Sequence, residues 1–278
     1  MLFDAHCHYQ FEELSPHWAQ MATELEAIKI GGAIVNGTHP DEDWDAVDTL
    51  AAAHPWVIPS FGIHPWDVAT RPADWQLKFI HRLESHPRAL VGEIGLDRWI
   101  LEPARAKAPA FAALKTASIE EQAEVFRWQL RWAADHNRAA SIHVLRAWGP
   151  LWEVLKDTPV PKTGFLLHAY GGSPEMVPQF VEMGAYFSYS TGHIDPRKTR
   201  QRKSFQAIPL DRLLVETDAP AMAPPHPRYP WPGDPNDWMT NHPANLAQAY
   251  ADLAILRGID PTVLEETVAK NFARLVSR

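Results

Sequence analysis

The chain opens with Leu2-Phe3-Asp4-Ala5-His6-Cys7-His8, a short apolar run that ends in two histidines. Residues i and i+2 of a β-strand point to the same face, so a strand here places the imidazoles of His6 and His8 side by side. An open, doubly wound sheet would have a glycine-rich phosphate-binding turn after its first strand. The turn at this position holds no glycine, which favours a closed barrel.

The same pattern, a short apolar run followed by a helical stretch, recurs along the chain. The runs predicted as strands are 2–6, 33–37, 57–63, 89–95, 139–144, 164–169, 185–189 and 213–217. The stretches predicted as helices are 18–29, 41–54, 72–85, 119–137, 150–156, 174–183, 204–208, 244–257 and 261–276. Strands that alternate with helices indicate parallel βαβ units, and eight such units predict a (β/α)8 TIM barrel. We therefore expect a single TIM-barrel domain over residues 1–278.

Two segments are longer than a minimal barrel needs, residues 98–117 and 220–238. Both follow the C-terminal ends of predicted strands, which is the catalytic face of a barrel. Long loops at that face more often form walls or lids of a site than simple connections. In the second segment, Trp231 and Trp238 are candidates for stacking on a nucleobase, although packing is the ordinary role of tryptophan.

The composition narrows the class of protein. Apolar residues make up 46% and charged residues 22% of the chain, an ordinary globular balance. No apolar run reaches about 18 residues, and no signal peptide is evident at the start. The single cysteine, Cys7, excludes an intrachain disulfide and a cysteine-rich zinc site. These features predict a cytoplasmic protein with no membrane partner, and they indicate no oligomeric state.

The charge of the chain bears on nucleic-acid binding. The formal net charge is −8, which argues against a protein that coats duplex DNA. It does not exclude an enzyme that holds a few phosphates locally, because the charge of a bound metal is absent from this sum. Five of the seven residues 197–203 are basic and follow the seventh predicted strand. That segment is either a solvated surface or a local phosphate-binding patch.

Histidine and acidic residues lie at the ends of most of the predicted strands. They are His6, His8, His64, Glu93, Asp97, His143, His168 and Asp218. A buried polar side chain costs about 1–3 kcal/mol unless a partner satisfies it. A cation can satisfy such a ring of imidazoles and carboxylates. Nitrogen and oxygen ligands suit Zn²⁺, Mn²⁺ or Mg²⁺, and imidazole favours zinc-like metals. We therefore expect a metal site at the C-terminal ends of the strands.

Several motifs of the chain, taken in order, are similar to those of a known family. They are Asp4-Ala5-His6-Cys7-His8, Gly62-Ile63-His64-Pro65-Trp66, Gly92-Glu93-Ile94-Gly95-Leu96-Asp97 and Glu216-Thr217-Asp218-Ala219-Pro220. With them the chain resembles the TatD-family metal-dependent hydrolases of the amidohydrolase superfamily, over nearly its whole length. The resemblance implies a TIM barrel and a phosphodiester substrate such as DNA, since members of the family include deoxyribonucleases.

The resemblance also implies a site with one or two divalent ions. In that arrangement His6, His8 and Asp218 hold one ion, His143 and His168 hold the second, and Glu93 bridges them. Two divalent ions can clamp a scissile phosphate and acidify a water molecule. Asp218, with Glu93 in a shared role, is the candidate to orient that water and take its proton.

Three further residues are candidates for contact with substrate. His64 lies at the barrel mouth, where it either meets substrate or packs against its neighbours. Arg146 is a cation that can steady phosphoryl oxygens. Asp97 has either a site role or the role of a local cap.

The segments after strands five and six differ from those of many family members. Many carry His-Ser-Arg after strand five, where this chain has His143-Val144-Leu145-Arg146. Many carry His-Cys-Phe-Thr/Ser-Gly after strand six, where this chain has His168-Ala169-Tyr170-Gly171-Gly172. One alternative is therefore a metal-dependent hydrolase of a small amide, lactone or phosphoester, since one barrel hosts many chemistries. A second alternative is a non-catalytic interaction protein that retains the fold.

Overall fold

The computed structural model describes residues 1–106, 113–232 and 239–277. Its eight parallel strands form one sheet in chain order, which confirms the predicted TIM barrel. The strands are β1 Leu2–Cys7, β2 Ile30–Gly37, β3 Val57–Phe61, β4 Leu90–Asp97, β5 Ala140–Leu145, β6 Phe165–Leu167, β7 Ala185–Ser190 and β8 Leu213–Glu216. Every strand is buried along most of its length, which explains why the runs are apolar without alternation.

The first and last strands meet at one end of the barrel. The backbone N–H of Asp218 donates to the carbonyl of His6 at 3.0 Å, and that of His8 donates to Ala219 at 2.8 Å. The side chain of Asp4 strengthens this seam, because it accepts from the backbone N–H of Thr217 at 3.0 Å. The seam therefore joins the first predicted metal ligands to the last.

Helices cover the outside of the barrel. They are α1 Trp18–Ala27, α2 Trp44–Ala53, α3 Trp75–Ser85, α4 Pro103–Ala106, α5 Ile119–Asp135, α6 Trp148–Asp157, α7 Val177–Glu182, α8 Thr199–Ala207, α9 Leu246–Arg257 and α10 Pro261–Val276. All nine predicted helices are present. α8 begins at Thr199 rather than at residue 204, because lysine and arginine in the basic segment are good helix formers. No helix in the described parts of the chain is long and apolar enough to cross a membrane.

Two buried glutamines of α5 hold the ends of the neighbouring strands. Gln129 accepts from the backbone N–H of Ile63 at 2.7 Å and donates to its carbonyl at 3.2 Å. Gln122 makes the same pair of bonds with Asp97, at 2.8 and 3.1 Å. The two amides replace the backbone partners that the strands lose as they leave the sheet. They thereby fix the segments that carry His64 and Asp97.

The two long segments are described only in part. Residues 98–106 form a turn and the short helix α4, in which the guanidinium of Arg105 lies 3.7 Å from the ring centre of Trp99. In the second segment, Trp231 packs against His17 with ring centres 5.3 Å apart. Trp238, the other tryptophan predicted to stack on a base, lies outside the described residues.

Candidate metal centre

Five histidines surround one buried carboxylate, Glu93 of β4, whose side chain is only 3% exposed. The imidazole nitrogens that face it belong to His6, His8, His64, His143 and His168, at 3.3, 3.0, 3.5, 2.9 and 2.8 Å. Burial raises the pKa of Glu93, but the surrounding imidazoles, His168 first, lower it well below its usual range. The structure thus brings together residues from the first, third, fourth, fifth and sixth strand ends around an ionised carboxylate.

The two oxygens of Glu93 face different histidines. Oε2 faces Nε2 of His6 and of His8. The same two nitrogens each lie 3.6 Å from Oδ1 of Asp218. His6, His8 and Asp218, which we predicted to hold one ion, thus lie together with Glu93 in one cluster at the β1–β8 seam.

Oε1 of Glu93 faces the second cluster, which is formed by His143, His168 and His64. Nδ1 of His143 and Nε2 of His168 lie 3.2 Å apart. Gly95 of β4 allows this approach. Its φ is +145°, and a Cβ at this position would lie 2.0 Å from the carbonyl oxygen of His143. A side chain there would push β5 and its imidazole away from Glu93.

The outer nitrogens of His8 and His143 show where the proton of each neutral ring lies. Nδ1 of His8 lies 2.8 Å from the carbonyl of Asn36, and Nε2 of His143 lies 3.1 Å from the carboxylate of Asp97. Both partners only accept, so these outer nitrogens are protonated. Such outer acceptors are characteristic of metal-binding histidines. His6 differs, because its Nδ1 meets two groups that can donate, the hydroxyl of Ser141 at 2.8 Å and the amide nitrogen of Asn36 at 3.1 Å.

The inner nitrogens of the four histidines meet in pairs inside the site. Nε2 of His6 and Nε2 of His8 are 3.2 Å apart, as are the facing nitrogens of His143 and His168. Two facing nitrogens at this distance require a proton or a metal ion between them. Burial lowers the pKa of His143, but its contacts with Asp97 and Glu93 raise it to about 9. The site therefore attracts positive charge, and its donor set fits a divalent ion of the zinc or manganese type.

Asp218 lies beyond the end of β8, in a left-handed conformation with φ of +56°. Its side chain is 14% exposed, against 3% for Glu93. Burial raises the pKa of Asp218 to about 7. Of these two carboxylates, Asp218 is therefore the one more open to water from the pocket.

Asp97 and Arg146, two of the three residues predicted to contact substrate, lie away from the pocket that opens over the two clusters. Asp97 is fully buried beneath His143. Its second oxygen accepts from the backbone N–H of Ile100 at 3.0 Å. The guanidinium of Arg146 is largely exposed and forms an ion pair with Glu102. Neither Asp97 nor Arg146 is among the described residues that line the pocket.

A pocket of about 1030 Å³ opens over the two clusters. His8, His64, His143, His168, Glu93 and Asp218 form part of its wall. Its outer wall comes from the segments after β1, β2 and β3, and contributes Glu12, Glu13, Glu42, Asp43 and Asp67. Burial, together with the charge of Glu42, raises the pKa of Asp67 to about 7. No lysine or arginine is found among the described lining residues, so this wall is acidic.

The basic segment 197–203 is divided between structural and exposed side chains. Arg202 donates to Asp252 at 2.6 Å and to the hydroxyl of Tyr189 at 2.7 Å. Arg197 forms an ion pair with Asp195. Arg200 is exposed and donates to the carbonyl of Gly171, in the loop that follows His168.

Several polar residues that support the candidate ligands were not predicted. Asn36 of β2 contacts His8, and Ser141 of β5 contacts His6. Glu216 lies under His168, with Oε1 3.6 Å from Nδ1, and accepts from the backbone N–H of Ala169 at 2.8 Å. The available signal was the presence of Asn, Ser and Glu inside otherwise apolar strands, since fully buried polar side chains need partners.

Comparison with known proteins gives consistent results. The sequence profile of the family described as "TatD related DNase" matches residues 3–277. The "Uncharacterized metal-dependent hydrolase YabD" of Bacillus subtilis is 27% identical over 229 residues, which cover 82% of this chain and 83% of that protein. Human "Deoxyribonuclease TATDN3" is 24% identical over 283 residues, covering 99% and 94%. The crystal structure of YjjV, a TatD homolog from Escherichia coli K12, superposes with a TM-score of 0.83 and 25% identity, covering 99% and 97% of the two chains.

Proposed function

The chain belongs to the TatD related DNase family and is a metal-dependent hydrolase of the TatD type, and on that basis we propose that it hydrolyses phosphodiester bonds of DNA. The observation that carries the proposal is the convergence of imidazole nitrogens around Glu93, in two pairs 3.2 Å apart. The names of the human and bacterial relatives support the choice of substrate and of reaction.

We propose that His6, His8 and Asp218 hold one ion, that His143 and His168 hold a second, and that Glu93 lies between the two. Zn²⁺, Mn²⁺ and Mg²⁺ are the candidate ions, in one or two copies per chain. A divalent ion at such a site lowers the pKa of a water molecule and takes up negative charge from a phosphate oxygen.

The side chains of the protein perform the remaining steps. The attacking water forms a new P–O bond and the P–O bond to the leaving oxygen breaks. We propose that Asp218 accepts the proton of the attacking water, because it lies at the site and is open to the pocket. The leaving oxygen takes up this proton, from Asp218 or through solvent, so that Asp218 ends ionised again. A positioned carboxylate contributes about 10²–10⁴-fold in such a step. Glu93 keeps the imidazoles in place and shares in orienting the water.

The three predicted substrate residues receive different roles. His64 lines the pocket and is proposed to contact substrate. Asp97 is proposed to position His143, because all its described contacts are with the protein interior. Arg146 forms an ion pair with Glu102, and its contact with substrate stays a prediction.

We also propose that residues 1–278 form a single domain located in the cytoplasm. α10 packs back on the first strand, with the rings of Phe272 and Phe3 4.9 Å apart, so the two ends of the chain share one core. The lone thiol of Cys7 is fully buried, as suits a compartment that keeps cysteines reduced. Fractionation of cells that produce the protein tests the location.

The function is tested by the metal content of the purified protein, followed by cleavage of labelled single-stranded DNA. The assay is run with added Mg²⁺, Mn²⁺ or Zn²⁺. We expect bound metal and cleavage that the Asp218→Asn variant abolishes while its fold is retained. Asp211→Asn, at an exposed position near the start of β8, is the matched control and should keep full activity.

Other results would redirect the assignment. Bound metal without DNA cleavage would contradict the choice of substrate and point to small phosphoesters, amides or lactones. A protein that binds none of the three ions would contradict enzymatic function and favour an interaction protein.

A further inference from the structure

We propose that His64 is a hydrogen-bond donor to a phosphoryl oxygen of the substrate and is not a metal ligand. The inference rests on the proposed function, since it concerns the same pocket and a phosphodiester substrate. It separates His64 from His8 and His143, two of the other histidines that surround Glu93.

The backbone fixes the tautomer of His64. The N–H of Trp66 donates to Nδ1 of His64 at 3.2 Å. A backbone N–H can only donate, so Nδ1 carries a lone pair and the ring proton lies on Nε2. The sequence Gly62-Ile63-His64-Pro65-Trp66 provides this geometry, since Nδ1 meets the N–H two residues further along the chain.

His8 and His143 have the opposite polarity. Each has its outer nitrogen against an acceptor, the carbonyl of Asn36 or the carboxylate of Asp97. The proton of the neutral ring lies on that outer nitrogen, so a metal ion can replace a second proton on the nitrogen that faces Glu93. His64 presents an N–H instead. His64, Glu93 and His143 do lie close enough together to hold an ion. However, a nitrogen that carries a proton cannot bind a metal ion. The closeness of these three side chains therefore does not make His64 a ligand.

The N–H of His64 is available to substrate. Nε2 lies 3.5 Å from Oε1 of Glu93, longer than a normal N–H···O bond. That oxygen already has closer contacts, with His143 at 2.9 Å and His168 at 2.8 Å. His64 also lines the pocket beside these two residues. An oxygen of a phosphate bound there can therefore accept the hydrogen bond that Glu93 accepts poorly.

The N–H of Trp66 engages the lone pair on Nδ1, so His64 acts as a neutral hydrogen-bond donor through Nε2. Negative charge grows on the non-bridging oxygens as water adds to phosphorus, so this bond strengthens toward the transition state. Removing one such donor typically lowers kcat about 10²–10³-fold.

The first test separates a donor from a ligand by metal content. His64→Ala and His64→Gln are loaded with Zn²⁺ or Mn²⁺, dialysed and compared with His143→Ala. We expect both His64 variants to retain the metal stoichiometry of the wild type and His143→Ala to retain less. Loss of an ion from the His64 variants to the same extent as from His143→Ala would overturn the proposal. His136→Gln, an exposed histidine at the C-terminal end of α5, controls for the loss of any imidazole.

The second test uses thymidine 5′-phosphate diesters with p-nitrophenyl and phenyl leaving groups. We expect His64→Ala to lower kcat about 10²–10³-fold for both esters with KM little changed, and His64→Gln, which keeps an N–H, to recover part of the loss. A loss that is much larger for the phenyl ester would show that His64 protonates the leaving oxygen instead. That result, or no loss for either ester, would overturn the proposal.

A third measurement does not depend on activity. Ring ¹⁵N spectra of the apo protein, with the His64 signals assigned by comparison with His64→Gln, should show the Nε2–H tautomer. Finding the Nδ1–H form would contradict the proposal. Failure of the proposed function is distinguishable, because the wild type itself would then leave both diesters intact.

Discussion

Asp97 and His143 are joined by a hydrogen bond of 3.1 Å between a carboxylate oxygen and Nε2 of the imidazole. The same oxygen accepts from the indole N–H of Trp66 at 2.7 Å, and the other accepts from Ile100. The hydrogen bond with His143 outweighs the effect of burial and lowers the pKa of Asp97. An ionised, fully held carboxylate thus orients an imidazole whose other nitrogen faces Glu93.

This arrangement predicts the effect of Asp97→Asn. The amide cannot accept from both His143 and Trp66 with the strength of a carboxylate, so the imidazole loses basicity and orientation. We expect metal affinity at the His143 cluster to fall about 10–100-fold, measured by competition with a chelator. Asp135→Asn, exposed at the end of α5, should leave the affinity unchanged. Equal affinities in all three proteins would show that Asp97 does not position the ligand.

The acidic wall of the pocket predicts that charge limits the binding of DNA. Glu12, Glu13 and Glu42 are exposed at the mouth, where they repel a polyanion. We expect the triple glutamine variant to lower KM for single-stranded DNA several-fold at low salt, and this gain to shrink as salt screens the charges. Hydrolysis of a small diester with one phosphate should change much less.

The matched control removes three negative charges elsewhere. Glu84, Glu153 and Glu182 lie on α3, α6 and α7 and are exposed. The triple glutamine variant of these residues is compared directly with that of Glu12, Glu13 and Glu42. If both variants lower KM equally, the effect comes from the net charge of the protein rather than from the wall of the pocket.

The basic segment gives a prediction of opposite sign. Lys198→Glu combined with Arg200→Glu reverses two charges of this segment, and Arg200 contacts the loop after His168. If this surface contacts phosphates, KM for polynucleotides should rise and its salt dependence should flatten. Unchanged polynucleotide kinetics would remove the phosphate-patch hypothesis. Arg202→Ala should instead destabilise the fold by about 1–3 kcal/mol, because it removes the ion pair with Asp252.

The barrel and the ligand cluster could be predicted because each depends on a local pattern. Apolar runs of strand length alternate with helical stretches, and polar side chains stand at the strand ends. In parallel strands those ends meet on one face. The prediction did not need the distances between strands, since the closure of the barrel brings His6 and Asp218 together whatever the intervening loops.

The supporting contacts could not be predicted because they depend on register. Glu216 precedes Asp218 by two residues. Its position under His168, however, depends on how the neighbouring strands pair. Asp97 ends a strand as the ligands do, yet it lies beneath His143 instead of facing the pocket. The acidic wall of the pocket could not be predicted from the sequence either, because Glu12 and Glu42 come from different loops and line the same pocket only in the folded chain.

Away from the metal centre, His193 predicts how stability depends on pH. It is buried between β7 and α8, and its Nδ1 accepts from the backbone N–H of Ser190 at 3.1 Å. Burial first, and then the charges of Lys198 and Arg202, lower its pKa from 6.5 to about 3. Between these values the unfolded chain binds a proton that the folded protein excludes, so the free energy of unfolding rises with pH.

The His193→Gln variant isolates this contribution, because it removes the titrating ring and keeps an acceptor. The stabilising effect is fully present above pH 6.5 and is lost as pH falls toward 3. The difference in unfolding free energy between wild type and variant should thus be constant above about pH 7 and decrease by about 2 kcal/mol by pH 5. Urea unfolding of the metal-free proteins measures it, with the exposed His226→Gln as control. A difference that stays constant from pH 8 to pH 5 would mean that His193 titrates in the folded protein as it does in the unfolded chain.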